Sequence, residues 1–303
     1  MTHLADTALP ARYRVEHDTR CLYASPVSQS WQLGRLTPRV LPWQSVESSR
    51  IEVDPAPDER HVSQDSFGNT VTHFSLYGPH RSLRVRMRSS VAVSARPALA
   101  PALDLPWAHA RDAVRGLGQP LSDDLLAASA LSESTRLVPL SEAARRYALP
   151  SLGDEQPWLS TMLDLMHRIH ADFEFDPDAT TVGTSVDEVL VHRRGVCQDF
   201  AHLMLACLRG HGLPARYVSG YLLTDPPPGQ PRLMGADASH AWVAAYSPVH
   251  GWVEFDPTND QLADQRYITL AWGADFADVV PLRGVIVGSG DQDLEVSVSV
   301  IPA

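Results

Sequence analysis

Lysine is absent from this 303-residue sequence, in which all 25 basic residues are arginines. Codon bias in a GC-rich genome is a sufficient explanation, so this absence points to no function. Cysteine is scarce, with only Cys21, Cys197 and Cys207 present, and an odd, sparse set does not form a disulfide framework. If Cys197 and Cys207 share one helix, about 15 Å of helix rise separates them. A disulfide requires Cα atoms within about 7 Å, so this pair is excluded.

Long hydrophobic segments are also missing. No run of about 18 apolar residues occurs, so we expect no membrane-spanning helix and no membrane partner. The first residues, MTHLADTALPARYRVEHD, lack a basic segment followed by an apolar one, which argues against a signal peptide. Together with unpaired thiols, these features predict a reducing, cytoplasmic location.

Positive charge is in deficit, because the formal net charge is -11. Nucleic-acid binding requires clustered positive charge to neutralise phosphates, so nucleic acid is excluded as the main partner. The local arginine cluster RVRMR, residues 84–88, alternates with apolar residues and is typical of the solvent-facing side of a strand. The oligomeric state is not predictable from this sequence.

The first third of the chain has the pattern of a half-buried antiparallel sheet. Residues 12–23 alternate strictly, with Tyr13, Val15 and Cys21 among the side chains on one face and charged side chains on the other. Residues 83–93 show the same alternation. We therefore predict an antiparallel β domain over residues 1–95, with one buried face and one arginine-rich face.

The pattern becomes helical after this region. Residues 96–153 are rich in proline at their start and are predicted to be a linker with short helices. Within residues 154–303, an amphipathic helix is predicted over 158–173, a second helix begins at Cys197, and strand-like runs follow. Helices followed by antiparallel strands indicate the α+β class, with residues 154–303 as a second domain.

Cys197 occupies a position that can activate a thiol. The helix that it opens is predicted to stop at Gly210 or Gly212, and Gly195 just before it admits a tight turn. The unpaired N–H groups of a first helical turn stabilise a thiolate, which is the nucleophilic form of cysteine. The same groups can later hold an oxyanion.

His240 and Asp256 lie in two strand-like runs, HAWVAAY and GWVEFD, which the turn-like residues 247–251 separate. In the hairpin that this predicts, the two residues fall within about two positions of facing each other, and directly opposed Cβ atoms are about 4.5–5.5 Å apart. The carboxylate can then bind one imidazole nitrogen and leave the other for a thiol. The pattern predicts a Cys–His–Asp site.

Three segments that contain these residues, GVCQDFAHL, DASHAWV and GWVEFDPTN, resemble the sequence blocks of the transglutaminase-like superfamily, whose core has the papain-type cysteine-peptidase fold. The region from YRVEHDT to LRVRM is similar to the N-terminal domain of bacterial members. The resemblance implies that Cys197 is the nucleophile, His240 the general base and acid, and Asp256 the orienting carboxylate. It implies a nucleophile helix packed on an antiparallel sheet, in a catalytic domain over residues 154–303.

The implied reaction is acyl transfer from an amide of a peptide or protein through a thioester, without a cofactor. Hydrolysis and glutamine transamidation both remain open, and the alternative is a non-catalytic peptide-binding or scaffold protein that retains the fold. No acidic loop is spaced for calcium, so the calcium dependence of the animal enzymes is not implied.

Other polar residues near these segments receive structural interpretations. His167 and His170 have an i, i+3 spacing that can bind a metal, but no third ligand stands out, so we predict no metal site. Asp199 is expected to interact favourably with the helix dipole, and Cys207 is expected to face away from Cys197 and be inert.

Overall fold

The structure is a computed structural model that describes residues 9–116, 121–224 and 239–303. Its first strands are β1 (Ala11–Val27), β2 (Gln29–Gly34), β3 (Gln44–Asp54), β4 (Glu59–Gln64), β5 (Thr70–Leu76) and β6 (His80–Val93). The middle comprises α1 (Trp107–Val114), α2 (Asp123–Ala130), α3 (Glu142–Ala148), α4 (Trp158–Asp172), β7 (Glu174–Phe175), α5 (Val186–His192), β8 (Arg194–Gly195) and α6 (Cys197–Arg209). The last strands are β9 (Ala215–Leu222), β10 (Ser239–Ser247), β11 (Gly251–Asp256), β12 (Gln261–Leu262), β13 (Tyr267–Gly273), β14 (Leu282–Val287) and β15 (Gln292–Pro302).

The N-terminal strands form two four-stranded antiparallel sheets, with the orders β15-β1-β6-β3 and β14-β2-β5-β4. Tyr13 and Val15 of β1 are buried, as the alternation predicts. On the other face, Asp18 accepts hydrogen bonds from Arg84 and Arg86 of the paired strand β6. The arginine-rich face is therefore ion-paired across strands rather than free to bind an anion.

The last two strands depart from the predicted layout, in which residues 154–303 form one domain. β14 pairs with β2, and β15 pairs with β1 over its whole length, so both complete the N-terminal sheets. The alternation of apolar and polar residues specifies which face of a strand is buried, but it does not specify which strand pairs with it. By pairing with β1, β15 covers an edge of that strand that would otherwise expose unpaired backbone groups. The other predicted domain boundaries stay a prediction.

The third sheet has the order β12-β11-β10-β9-β13 and is also antiparallel. Helix α6 packs on β9 and β10, and its residues from Asp199 to Arg209 are all buried. The prediction of an α+β fold with a helix on an antiparallel sheet is confirmed. In the described ranges, the longest helix is α4 with 15 residues, and no helix there could cross a membrane.

The helix bounds follow local sequence signals. α5 begins after Ser185, whose hydroxyl accepts a hydrogen bond from the Glu188 N–H while the Glu188 carboxylate accepts one from the Ser185 N–H. α6 starts at Cys197 and has Gly210 as its C-cap, as predicted. α4 ends one residue before the predicted limit, because Phe173 adopts an extended conformation.

Candidate active site

Cys197 is the first residue of α6, and the turn before it is held by Asp199. Oδ2 of Asp199 accepts hydrogen bonds from Val196 N at 2.8 Å and from Thr180 Oγ1 at 2.6 Å. A Cβ atom at Gly195 would lie 2.8 Å from that same oxygen, so only glycine lets the carboxylate fold back. Asp199 thus acts on the helix start, as predicted, and fixes the backbone that carries the thiol.

The first turn of α6 also provides free donors. Within the described ranges, the backbone N–H groups of Cys197 and Gln198 donate to no acceptor, whereas those of Asp199 and Phe200 both donate to Val196 O. Free N–H groups at a helix start are suited to stabilising a negative charge. They lie on the residue that carries the sulfur and on its neighbour.

The predicted hairpin carries the other two residues. β10 and β11 pair with Ser247 opposite Gly251, which leaves His240 and Asp256 diagonally placed on neighbouring strands. Nε2 of His240 lies 2.7 Å from Oδ2 of Asp256. The side chain of His240 is 11% exposed and that of Asp256 is fully buried, so water competes little for this hydrogen bond.

The side chain of Cys197 lies close enough to the imidazole of His240 to raise the pKa of the ring. Asp256 engages Nε2, so Nδ1 is the ring nitrogen that remains for a thiol. Burial lowers the pKa of His240, but the neighbouring side chains of Asp256 and Cys197 outweigh burial and raise the pKa to about 10. The structure therefore brings the three predicted residues together, with an imidazolium between a sulfur and a carboxylate.

Asp256 is fixed by several donors that the sequence analysis did not identify. Its Oδ2 also accepts hydrogen bonds from Asn259 Nδ2 at 2.7 Å and from Tyr267 Oη at 2.6 Å, while Oδ1 accepts from Thr258 N at 2.9 Å. Burial raises the pKa of Asp256, but the hydrogen bonds and the charge of His240 lower it by more. The carboxylate stays ionised and holds one orientation.

These supporting residues differ in how visible they are in the sequence. Asn259 follows Asp256 in the turn DPTN, where side chains commonly bond to nearby backbone groups, so the turn itself was a usable signal. Tyr267 reaches Asp256 only because β13 lies in the same sheet. No local pattern in the sequence indicates that pairing.

His167 and His170 support the same loop. Nδ1 of His167 lies 2.8 Å from Asp260 Oδ2, and Nδ1 of His170 lies 2.9 Å from Thr258 O, so α4 is tied to the turn after Asp256. No group of three or more metal-ligating side chains lies together in the described part of the chain. Their i, i+3 spacing thus serves contacts to this turn.

Gly220 and Trp242 are packed next to His240 in the sheet and hold its position. Gly220 of β9 is the register partner of His240, and the indole of Trp242 lies 6.0 Å from the imidazole between ring centroids. A Cβ atom at Gly220 would lie 2.6 Å from Trp242 and 2.1 Å from the carbonyl oxygen of Ile268. The close approach of three backbone strands around the histidine therefore requires glycine.

Cys207 and His202 lie on α6 but outside this arrangement. Cys207 is fully buried and its thiol donates to Ala144 O at 3.3 Å, and burial raises its pKa. His202 accepts a hydrogen bond from Phe276 N at 3.2 Å, and burial lowers its pKa to about 4. Both groups are therefore neutral core residues at neutral pH, which agrees with the expectation that Cys207 is inert.

Sequence comparison matches residues 146–257 to the transglutaminase-like superfamily, and residues 13–92 to the bacterial transglutaminase-like N-terminal region. The chain belongs to the transglutaminase-like superfamily. The first matched region forms strands of the N-terminal sheets, and the second contains α6 and the β10–β11 hairpin, which carry Cys197, His240 and Asp256.

Relatives of similar length occur in mycobacteria. An uncharacterised protein of Mycobacterium tuberculosis is 44% identical over 300 residues, which cover 96% of this chain and 93% of the relative. An uncharacterised protein of Mycobacterium leprae is 34% identical over 297 residues, covering 95% and 98%. A protein-glutamine gamma-glutamyltransferase of Pseudomonas aeruginosa is 36% identical over 141 residues, which cover 40% of this chain and 21% of that protein.

A solved structure from Cytophaga hutchinsonii, described as a candidate cysteine protease, shares the whole architecture. It superposes with a TM-score of 0.76 at 18% sequence identity, and the alignment covers 98% of this chain and 93% of that one. At this identity the similarity establishes the fold. The chain thus has the thiol-enzyme fold of the transglutaminase-like superfamily, including the N-terminal sheets and the returning C-terminal strands.

Proposed function

We propose that this protein is a thiol acyltransferase or hydrolase that acts on carboxamides of peptides or proteins through a thioester on Cys197. The observation that carries the proposal is the 2.7 Å hydrogen bond by which Asp256 holds the imidazole of His240, together with the position of Cys197 close enough to that ring to raise its pKa. The cytoplasmic location and the peptide or protein substrate expected from the sequence are parts of the same proposal.

In the acylation step, the thiolate of Cys197 attacks the carbonyl carbon of the amide and a C–S bond forms. The pKa of His240, raised to about 10, keeps the imidazole protonated at neutral pH, so the ring has a proton to give to the leaving group. The oxyanion accepts hydrogen bonds from the free N–H groups of Cys197 and Gln198. As the C–N bond breaks, Nδ1 of His240 gives its proton to the departing amine or ammonia.

In the deacylation step, neutral His240 accepts a proton from water or from an amine, and that nucleophile attacks the thioester. The C–S bond breaks, the acyl group leaves as an acid or a new amide, and the sulfur returns as a thiolate paired with the imidazolium. Asp256 keeps the ring oriented and stabilises its positive charge throughout, but exchanges no proton itself.

The glutamine side chain is the first amide to test as acyl donor. The relative in Pseudomonas aeruginosa is named for transfer of the glutamyl group of protein glutamine, and its aligned segment supports the same donor here. That segment covers only 21% of the relative, so the similarity does not indicate whether water or an amine accepts the acyl group. The experiment below distinguishes the two acceptors. Water and a primary amine give products of different mass.

The experiment incubates the purified protein with a glutamine-containing peptide library, with and without a primary amine, and identifies products by mass spectrometry. Conversion to glutamate in both samples indicates hydrolysis, amine adducts indicate transamidation, and cleaved backbones indicate a peptidase. Unchanged peptides with an unreactive Cys197 thiol would instead favour a non-catalytic peptide-binding protein.

Cys197→Ala is the variant that tests the nucleophile. We expect product formation to disappear while the far-ultraviolet circular dichroism and the melting temperature stay near those of the wild type, because Cys197 is only partly buried. Cys21→Ala, in β1, is the matched control and should keep full activity. Turnover by Cys197→Ala at the wild-type rate contradicts the proposal.

A further inference from the structure

A cavity of about 900 Å³ lies on the side of the molecule where the segment after β6 crosses the third sheet. It is lined by the loop before β3, by residues 96–103 and by parts of β11–β13. The side chains that line it are mainly apolar and include the indoles of Trp43, Trp252 and Trp272. This size and composition are typical of small-molecule sites. Cys197, His240 and Asp256 do not line it.

The guanidinium of Arg216 lies in this cavity wall without an acceptor. Its Cζ atom is 3.6 Å from the ring centroid of Trp272 and 4.3 Å from that of Trp252, and the residue is 7% exposed. Among the described residues, no oxygen accepts a hydrogen bond from Arg216, and its buried Nε is without any partner. Indole faces attract the cation but offer no acceptor to the N–H groups in the guanidinium plane.

The described side chains that line the cavity leave one cation in excess, because they include Arg96, Arg216 and Glu254. Arg96 and Glu254 pair at 3.0 Å and cancel each other, although Arg96 Nη1 and Glu254 Oε1 are buried without a partner in the described part of the chain. Arg216 has no such partner among the described residues. Burial lowers the pKa of Arg216 to about 9, with a counteracting effect of Glu254, so the group is still charged at neutral pH. A buried, charged and unpaired group is unfavourable unless something binds it.

We propose that this cavity binds an organic carboxylate with an apolar body, and that the carboxylate accepts hydrogen bonds from the guanidinium of Arg216. An arginine fork matches the two oxygens of a carboxylate, which makes this pairing strong and directional. The apolar body then packs against the indoles. Among the described residues that line the cavity, Glu254 is the only carboxylate, and Arg96 neutralises it.

The test is isothermal titration calorimetry of the full chain with decanoate and with decan-1-ol, which has the same apolar chain without the charge. We expect decanoate to bind at least about tenfold more tightly than the alcohol, as charge-assisted hydrogen bonds require. Arg216→Met should weaken decanoate binding by about tenfold or more and leave decanol binding unchanged. Arg111→Met, which lies outside the cavity, should change neither.

Each other result overturns the proposal. Equal affinities of decanoate and decanol for the wild type would indicate an apolar cavity without an anion site, and no binding of either would exclude the ligand class. Undiminished decanoate binding by a folded Arg216→Met variant would exclude Arg216. If that variant does not fold, the wild-type comparison of the two ligands still decides. None of these measurements depends on the activity of Cys197.

Discussion

His240 is the residue whose protonation controls the proposed chemistry. Its pKa of about 10 results from opposing effects, since burial favours the neutral ring and Asp256 and Cys197 favour the charged one. The charged ring supplies the proton for the leaving group. The rate of acylation should therefore fall as the pH rises through the pKa of His240.

Asp256→Asn removes the carboxylate charge and keeps the size of the side chain. Because that charge favours the imidazolium, we expect the alkaline limb of the kcat/KM profile to move to lower pH by about 1 to 3 units. We expect kcat/KM at its optimum to fall by about 10²- to 10⁴-fold without disappearing, since Asp256 orients and does not react. A pH series of initial rates measures both effects.

The matched control for this change is Asp104→Asn. Asp104 forms a second buried pair with a histidine, at 3.2 Å from His250 Nε2. The substitution has the same chemistry but touches a different imidazole, so the alkaline limb should stay at its wild-type position. An alkaline limb that Asp256→Asn leaves unmoved, or that Asp104→Asn moves equally, contradicts the role of Asp256.

At the scale of elements, the site depends on how closely β9, β10 and β13 approach one another. The start of α6 fixes the sulfur, and the β10–β11 hairpin fixes the imidazole and carboxylate, so neither element carries the chemistry alone. Gly220 is the point at which the three strands meet, with Trp242 against it on one side and Ile268 on the other.

Gly220→Ala tests this packing. The added Cβ would lie 2.1 Å from a backbone oxygen, so the strands must separate, and we expect a loss of about 1–3 kcal/mol in the free energy of unfolding. We also expect lower activity, because His240 lies opposite. Urea denaturation and initial rates measure the two effects.

Gly78→Ala is the control for this substitution. A Cβ atom at Gly78 would have no atom within 4 Å, so the change in the free energy of unfolding should be less than about 1 kcal/mol. If Gly220→Ala is as stable and as active as Gly78→Ala, the close packing beneath His240 is not required for the site.

At the scale of the whole molecule, the last strand of the chain, β15, lies beside the first, β1. β15 pairs over its full length with β1. His17 of β1 bonds Tyr221 of β9 at 2.8 Å, so the N-terminal sheets and the third sheet are directly connected. The other ring nitrogen of His17 lies 2.9 Å from Thr19 Oγ1. Both contacts are buried, which makes the connection sensitive to the charge of this histidine.

His17→Gln tests that sensitivity. Burial lowers the pKa of His17 from 6.5 to about 4, so between these values the unfolded chain binds a proton that the folded chain does not. His17 therefore stabilises the fold above pH 6.5, and this contribution is lost as the pH falls towards 4. The wild type should lose about 1.4 kcal/mol per pH unit from this group. Urea denaturation at several pH values measures the free energy of unfolding as a function of pH. Between pH 4 and 6.5, this free energy should change less steeply with pH in the variant than in the wild type, by about 1.4 kcal/mol per pH unit. Parallel curves for the two proteins would contradict the lowered pKa of His17.

Sequence reasoning succeeded where the signal is local. Four features were predicted from patterns that involve only a few neighbouring residues. They are the alternation of residues 12–23, the capping residues of α5, the start of α6 at Cys197 and the hairpin of β10 and β11. The positions of His240 and Asp256 relative to each other followed from that hairpin alone. The α+β class followed from the order of these elements.

Reasoning from sequence failed where contacts are remote. The alternation of β15 indicates a strand but not that it pairs with β1 at the opposite end of the chain. Tyr267 reaches Asp256 through sheet order, and Arg216 reaches the tryptophans of the cavity through the packing of separate segments. Such contacts depend on which faces and edges are left to cover once the local elements have formed.

The central claim is that the sulfur of Cys197 is activated by the imidazolium of His240, and the most direct test is alkylation by iodoacetamide followed by peptide mass spectrometry. In neutral and mildly acidic buffer, we expect rapid modification of Cys197 and none of buried Cys207. His240→Gln should slow the modification of Cys197 at least about tenfold, because the thiolate loses its cation. A wild-type Cys197 that is not alkylated, or one that reacts equally fast in His240→Gln, would contradict the account.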